Sequence, residues 1–257
     1  MNFCVLILST KQPNSDNFKE AIRKTWALEL KKNGVDYFFY EGDWGTNSIQ
    51  DDVIKLDIED EDNYSFKKLL LANSVLKNQN LNYDFIYKTN LYSYIDVPTF
   101  LKFIDLKAVN KPSYIGLITK AYLLSQLTLK YKIFRKFASK LNFGKRIVFK
   151  HGSGFFIGEE LLVQINETFA PIEDCQLADD IFIGILLSHI KVHEPKCLNM
   201  SIFANGSHKV VKKAYEINVE KGLLFHYRFR NENNETIVKT FESFQDFKTR
   251  LEICTYN

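Results

Sequence analysis

Paired cysteines, long apolar runs and a phosphate-binding glycine loop are all missing from this chain of 257 residues. Cys4, Cys175, Cys197 and Cys254 are scattered, with no Cys-x-x-Cys pair and no metal-ligand spacing, so neither a disulfide framework nor a zinc site is expected. Cys4 falls in an apolar run and reads as a buried free thiol. No stretch of about 18 apolar residues exists, which excludes a membrane-spanning helix. The opening Met-Asn-Phe-Cys-Val-Leu-Ile-Leu-Ser lacks the basic start and small-residue cleavage site of a signal peptide, so a cytoplasmic location is expected. Without a glycine-rich phosphate loop or a carboxylate pair beside a strand end, a nucleotidyltransferase is disfavoured, and so is a metal-dependent hydrolase. The net charge of +3 is too small to indicate a nucleic-acid partner.

Acidic residues are missing locally as well. None occurs between Asp105 and Glu159, a stretch that carries Lys120, Lys130, Lys132, Arg135, Lys136, Lys140, Lys145, Arg146 and Lys150. Leu123, Leu127, Tyr131, Phe134 and Phe137 recur there at helical spacing. Residues 119–150 are therefore expected to form a basic excursion containing an amphipathic helix, either a solvated face or a peripheral membrane contact.

What is present reads as an α/β chain. Phe3–Ser9 is a strand, and a helix capped by Ser15 or Asp16 runs through Phe18, Ile22, Trp26 and Leu30 to a stop at Asn33-Gly34. Asp36–Tyr40 and Val53–Asp57 are strands, Phe66–Leu76 a helix, and Phe85–Tyr87 a buried strand ending in Lys88-Thr89. A short helix over Pro98–Phe103 and a strand over Ser113–Leu117 follow. Gly152–Gly158 is a glycine-flanked strand leading into a helix from Glu159, and Leu177–Ile190 is a helix led by Asp179-Asp180. Leu223–Arg230 alternates basic and aromatic residues as an edge strand would, and Phe241–Ile253 is a closing helix. This order predicts a mainly parallel, doubly wound sheet in one domain, with residues 1–118 built like a nucleotide-binding half. In such sheets ligands sit beyond the carboxyl ends of the strands, so Lys88 and its polar followers are a candidate floor for an anion.

Five motifs in order carry a family resemblance. Ala21-Ile-Arg-Lys-Thr-Trp26 resembles the signature of the inverting β-1,3-glycosyltransferases, which include galactosyl- and N-acetylglucosaminyltransferases and the Fringe proteins. Asp60 or Asp62 with Lys68, then Phe85-Ile-Tyr-Lys-Thr89, Gly152-Ser-Gly-Phe-Phe-Ile-Gly158 and Ala178-Asp-Asp-Ile-Phe-Ile-Gly184, are similar to that family's later blocks. The resemblance covers roughly residues 3–190 and implies a GT-A fold, with residues 119–257 as an acceptor-binding half, a UDP-sugar donor and a glycan or glycoconjugate acceptor. It makes Asp180 the catalytic base, with Asp179 at its partner position; the plain alternative is that both cap a helix. For the donor it suggests Ser9, Thr10, Arg23, Lys68, Lys88, Thr89 and Asn90, together with Gly152, Ser153 and Gly154, whose glycines would let the sugar approach the backbone. An ordinary loop exit for Ser9 and Thr10, and a surface ion pair for Arg23 and Lys68, are the competing readings. Trp26 is expected in the core.

The chain departs from the family at one place. After Lys88-Thr89 the family carries an Asp-Asp-Asp metal motif, and this chain has Asn90-Leu91-Tyr92, with Asp96 displaced by four residues. Mg²⁺ and Mn²⁺ want hard carboxylate oxygens, so no metal cofactor is expected. A cation clamp of His226, Arg228 and Arg230, helped by Lys88 and Lys209, is the candidate replacement, with His226 or His208 standing for a family histidine. A catalytically silent glycan- or nucleotide-binding protein on the same fold is the rival reading.

Overall fold

The structure, a computed structural model, describes residues 2–61, 64–107, 114–122, 146–169, 180, 183–184, 212–216, 224–229 and 233–255. Its centre is β1 (Phe3–Leu8), flanked by β2 (Asp36–Glu41) and β5 (Phe85–Asn90) in parallel register, Leu8 lying opposite both Tyr40 and Asn90. The sheet runs β3 (Ser48–Gln50), β4 (Val53–Lys55), β2, β1, β5, β8 (Arg146–Gly158), β7 (Tyr114–Tyr122). Only β3 and β8 oppose the common direction, so the predicted mainly parallel sheet is observed. A small second sheet pairs β6 (Ser93–Ile95) with β9 (His226–Arg228) antiparallel.

Helices cover both faces, and strand alternation explains how. Val5 and Ile7 of β1 join one core layer with Phe18 and Ile22 of α1 (Pro13–Lys24), Trp26 and Leu30 of α2 (Trp26–Lys32), and Phe100 of α4 (Val97–Lys107). Phe241 and Phe244 of α6 (Asn234–Thr255) complete that layer. Cys4 and Leu6 point the other way, into a layer with Phe66, Leu69 and Leu76 of α3 (Ser65–Asn78) and Leu161 and Ile165 of α5 (Glu159–Phe169). Cys4 is buried as a free thiol, and burial pushes its pKa up. Trp26 is fully buried, as its apolar spacing predicted.

Several elements differ from expectation for local reasons. The first helix divides at Thr25, where the backbone leaves helical geometry (φ −112°, ψ −112°) and both the amide and the Oγ1 hydroxyl bond back to Ala21 O. Strand β5 runs on to Asn90, because pairing with β1 and not apolar content sets its end. Strands β7 and β8 continue through Tyr122 and from Arg146 as one long ladder, so the ends of the basic excursion are paired strand. The helix expected over 123–137 lies outside the described residues. Among those described, no helix is long and apolar enough to cross a membrane.

A single carboxylate ties the loops after β1 and β2 to α3. Asp60 accepts from Lys68 Nζ at 2.9 Å and Gly42 N at 3.1 Å through Oδ1, and from Lys11 N at 2.6 Å through Oδ2. Lys68 and Asp60 side chains are only 1% and 5% exposed, so the expected surface ion pair is a buried one. Removing one member of such a pair leaves an uncompensated charge, a loss of about 3–5 kcal/mol. Lys68→Ala is therefore expected to lower the urea midpoint strongly with little change in the slope of the transition.

Candidate active site at the carboxyl ends of β1 and β5

A cleft of about 640 Å³ opens where β1 and β5 end, lined by Ser9, Thr10, Lys88, Asn90, Gly152, Asp180 and Arg228 among others. These seven are the predicted site residues that the fold brings together. Lys88 is 2% exposed; its ammonium donates to Gly152 O at 2.8 Å and lies 5.5 Å from the Phe155 ring centroid. The amide of the same Gly152 donates to Asp180 Oδ2 at 2.9 Å. One glycine thus holds a cation by its carbonyl and an anion by its N–H, at the wall of the cleft. Arg228 enters from β9, opposite Ser93 of β6. Ser9 donates to the buried Glu41 at 3.0 Å, and Thr10 pairs with Ser15 at 2.7 Å.

Glu41 and Lys19 were not legible in the sequence as partners. Glu41 also accepts from Lys19 Nζ at 2.9 Å and Trp44 Nε1 at 3.1 Å, which fixes the end of β2 beside Ser9. Burial lowers the Lys19 pKa, but its bonds to Glu41 and Asp16 outweigh that and leave it raised.

Other predicted residues are placed elsewhere. Arg23 makes a two-pronged bond to Asp52, both contacts 2.7 Å, in a separate groove of about 1010 Å³ beside α1 and β2. That hydrogen bond raises the Arg23 pKa; burial pushes Asp52 up, but the bonds from Arg23 more than reverse it. In this larger groove Arg23 is paired with Asp52 and Lys19 with Asp16 and Glu41, and it shares no lining residue with the cleft that holds Lys88, Gly152 and Asp180, so it is not the candidate site. Lys68 is buried against Asp60 and does not line the cleft. Thr89 is fully buried and donates to Ser153 O at 3.1 Å, pinning β5 to β8 instead of facing a ligand. Ser153 is likewise fully buried. Asp179, Lys209, His208 and Arg230 lie outside the described residues.

His226 corrects the expected clamp. It is 1% exposed, with Nδ1 bonded to the Tyr87 hydroxyl and Nε2 to Ser93 Oγ at 2.9 Å, so its ring is beneath the cleft and not part of a cationic wall. The role expected of Gly154 changes with it. A Cβ there would lie closer than 3.0 Å to the Tyr87 hydroxyl and the His226 ring, so Gly154 makes room for that buried pair and not for a sugar.

The side chains after β5 do not fit a divalent cation. Asn90 Oδ1 accepts from Tyr92 N at 3.1 Å and Ser93 Oγ at 3.2 Å, Leu91 is packed in the core, and Tyr92 sets its ring edge-on to Phe18. Asp96 is 2% exposed and accepts from the Thr99 hydroxyl at the start of α4, beneath the surface and not among the residues that line the cleft. Among the described residues no group of three or more His, Cys, Asp or Glu is placed to hold a metal.

A mainly parallel, doubly wound sheet with a charged cleft at its carboxyl ends is consistent with a fold of the GT-A type. The chain belongs to the Galactosyltransferase family, which its residues 17–198 match. Among solved structures it is similar to a glycosyltransferase involved in the glycosylation of the major capsid of PBCV-1, at 12% identity and a TM-score of 0.51, covering 93% of this chain and 99% of that one. It also aligns with the inositol-1-phosphate CTP transferase from T. maritima at 8% identity and a TM-score of 0.40, over 95% and 96% of the two chains. No curated protein matches it significantly in sequence.

Gly154→Ala tests the packing beneath the site. Because the Tyr87–His226 pair has no room to retreat, the added methyl is expected to cost about 1–3 kcal/mol of stability, read by urea denaturation.

Proposed function

We propose that the chain is an inverting glycosyltransferase moving a hexose or N-acetylhexosamine from a UDP-sugar to a sugar hydroxyl, in a single displacement that needs no divalent metal. The observation that carries this is the Gly152 peptide, which fixes the Lys88 ammonium and the Asp180 carboxylate along one cleft wall. Asp180 takes the proton of the acceptor hydroxyl as its oxygen attacks the anomeric carbon. The bond from that carbon to the diphosphate breaks on the opposite face, and UDP leaves with the electron pair. Lys88, with Arg228, supplies positive charge where the leaving diphosphate develops its own. Tyr92, 42% exposed at the cleft, offers an aromatic surface to a sugar or base ring.

The rival, a silent binding protein, is favoured by one observation: the strand exit that carries carboxylates in the family carries Asn90, Leu91 and Tyr92 here. Transfer and donor hydrolysis across a panel of nucleotide sugars, each with Mn²⁺ and with EDTA, separate the readings. Turnover is expected to survive EDTA. Asp180→Asn is expected to lower kcat by about 10²–10⁴-fold while UDP binding persists. A strict Mn²⁺ requirement refutes metal independence, and UDP binding without turnover on any donor supports the silent protein.

A further inference from the structure

Below the cleft floor, hydrogen count alone gives a direction to a chain of four side chains. Asn90 Oδ1 accepts the backbone N–H of Tyr92, an obligate donor, so the orientation of the amide is fixed by its partners. The same oxygen is 3.2 Å from Ser93 Oγ and cannot donate, so the single Ser93 hydrogen is committed to it. Ser93 Oγ must then accept from His226 Nε2 at 2.9 Å, which puts a hydrogen on Nε2 and, in the neutral ring, makes it the Nε2–H tautomer. Nδ1 is left to accept, and the Tyr87 hydroxyl donates to it. Burial pushes the Tyr87 phenol well up, in keeping with a hydroxyl that keeps its proton. Each member has one consistent role, and the chain ends at an amide that is 9% exposed at the cleft.

With Oδ1 accepting from below, Asn90 Nδ2 makes no hydrogen bond to any of the described residues. We propose that Tyr87, His226 and Ser93 are positioning residues that hold the Asn90 amide with its NH₂ toward the cleft, where it donates to a phosphate oxygen of the donor diphosphate. Where the family presents a carboxylate that needs a cation to meet a phosphate, this chain presents a donor that meets it directly. The inference rests on the reading of the cleft as a nucleotide-sugar site and adds to it a residue that contacts the diphosphate and a relay that aims it.

Asn90→Asp is the discriminating variant. Aspartate keeps the shape and still accepts from Tyr92 N and Ser93 Oγ, so the turn survives while the NH₂ becomes an anion. Calorimetric titration with UDP and with inorganic pyrophosphate, both in EDTA, is expected to show affinity for each falling by about tenfold or more in Asn90→Asp, and by a smaller factor in Asn90→Ala. Ser93→Ala is expected to weaken both ligands by a few-fold in the wild-type background and to add nothing in Asn90→Ala, since it acts only through Asn90. Imidazole ¹⁵N shifts of the wild-type protein should report the Nε2–H tautomer at His226. Wild-type affinity in Asn90→Asp overturns the proposal and leaves the donor-site reading intact. An undiminished Ser93→Ala effect in Asn90→Ala, or an Nδ1–H ring, overturns the relay. A wild-type protein that binds neither UDP nor pyrophosphate overturns the donor-site reading, and the proposal with it.

Discussion

The candidate site depends on one peptide group held between opposite charges. Gly152 gives its carbonyl to Lys88 and its N–H to Asp180, so the cation from β5 and the carboxylate from a later segment keep a fixed separation across the same backbone unit. Buried ions are retained where such partners exist, because an ammonium stripped of water needs an oxygen to replace it. Lys88 finds one only because β8 runs antiparallel beside β5, with Phe155 opposite Lys88. Sheet order therefore precedes site chemistry here: the insertion of β8 between β5 and β7 brings the Gly152 carbonyl to the lysine.

Beneath that wall the packing and the polar network cooperate. Gly154 leaves space that the Tyr87 hydroxyl and His226 ring fill, and those two buried groups bond to each other. The small β6–β9 sheet serves the same end, since its pairing sets Ser93 opposite Arg228 and Ile95 opposite His226. Arg228 reaches the cleft from the strand whose His226 supports the floor, so one short strand contributes to both. On the far side of β1, Asp60 and Glu41 gather the loops after β1 and β2 through buried contacts to Lys68 and Lys19.

The replacement of the acidic motif removes negative charge from what the strand exit presents. Asn90 has its oxygen turned inward by a backbone N–H and a serine hydroxyl. Leu91 and Tyr92 carry no ligand atoms suited to a hard ion, and their burial and aromatic packing against Phe18 give them structural uses instead.

Periodicity and motif order by themselves determined the doubly wound fold, the buried Trp26, the existence of the buried strand that carries Lys88, the strand through Gly152–Gly158 and the family resemblance. Each is a local signal: apolar spacing, a glycine pair, or a short run of residue types. They also brought Ser9, Thr10, Lys88, Asn90, Gly152, Asp180 and Arg228 forward as candidates, all of which line one cleft. Tertiary structure alone decided that Arg23 and Lys68 serve Asp52 and Asp60, that Thr89 pins Ser153, and that His226 lies under the floor. Most of the partners that settle those roles stand far off in the chain, 139 residues for Tyr87 and His226, 64 for Thr89 and Ser153 and 29 for Arg23 and Asp52, whereas Lys68 and Asp60 are only 8 apart. A side chain's residue type states what it can bond; only the fold states which group it meets.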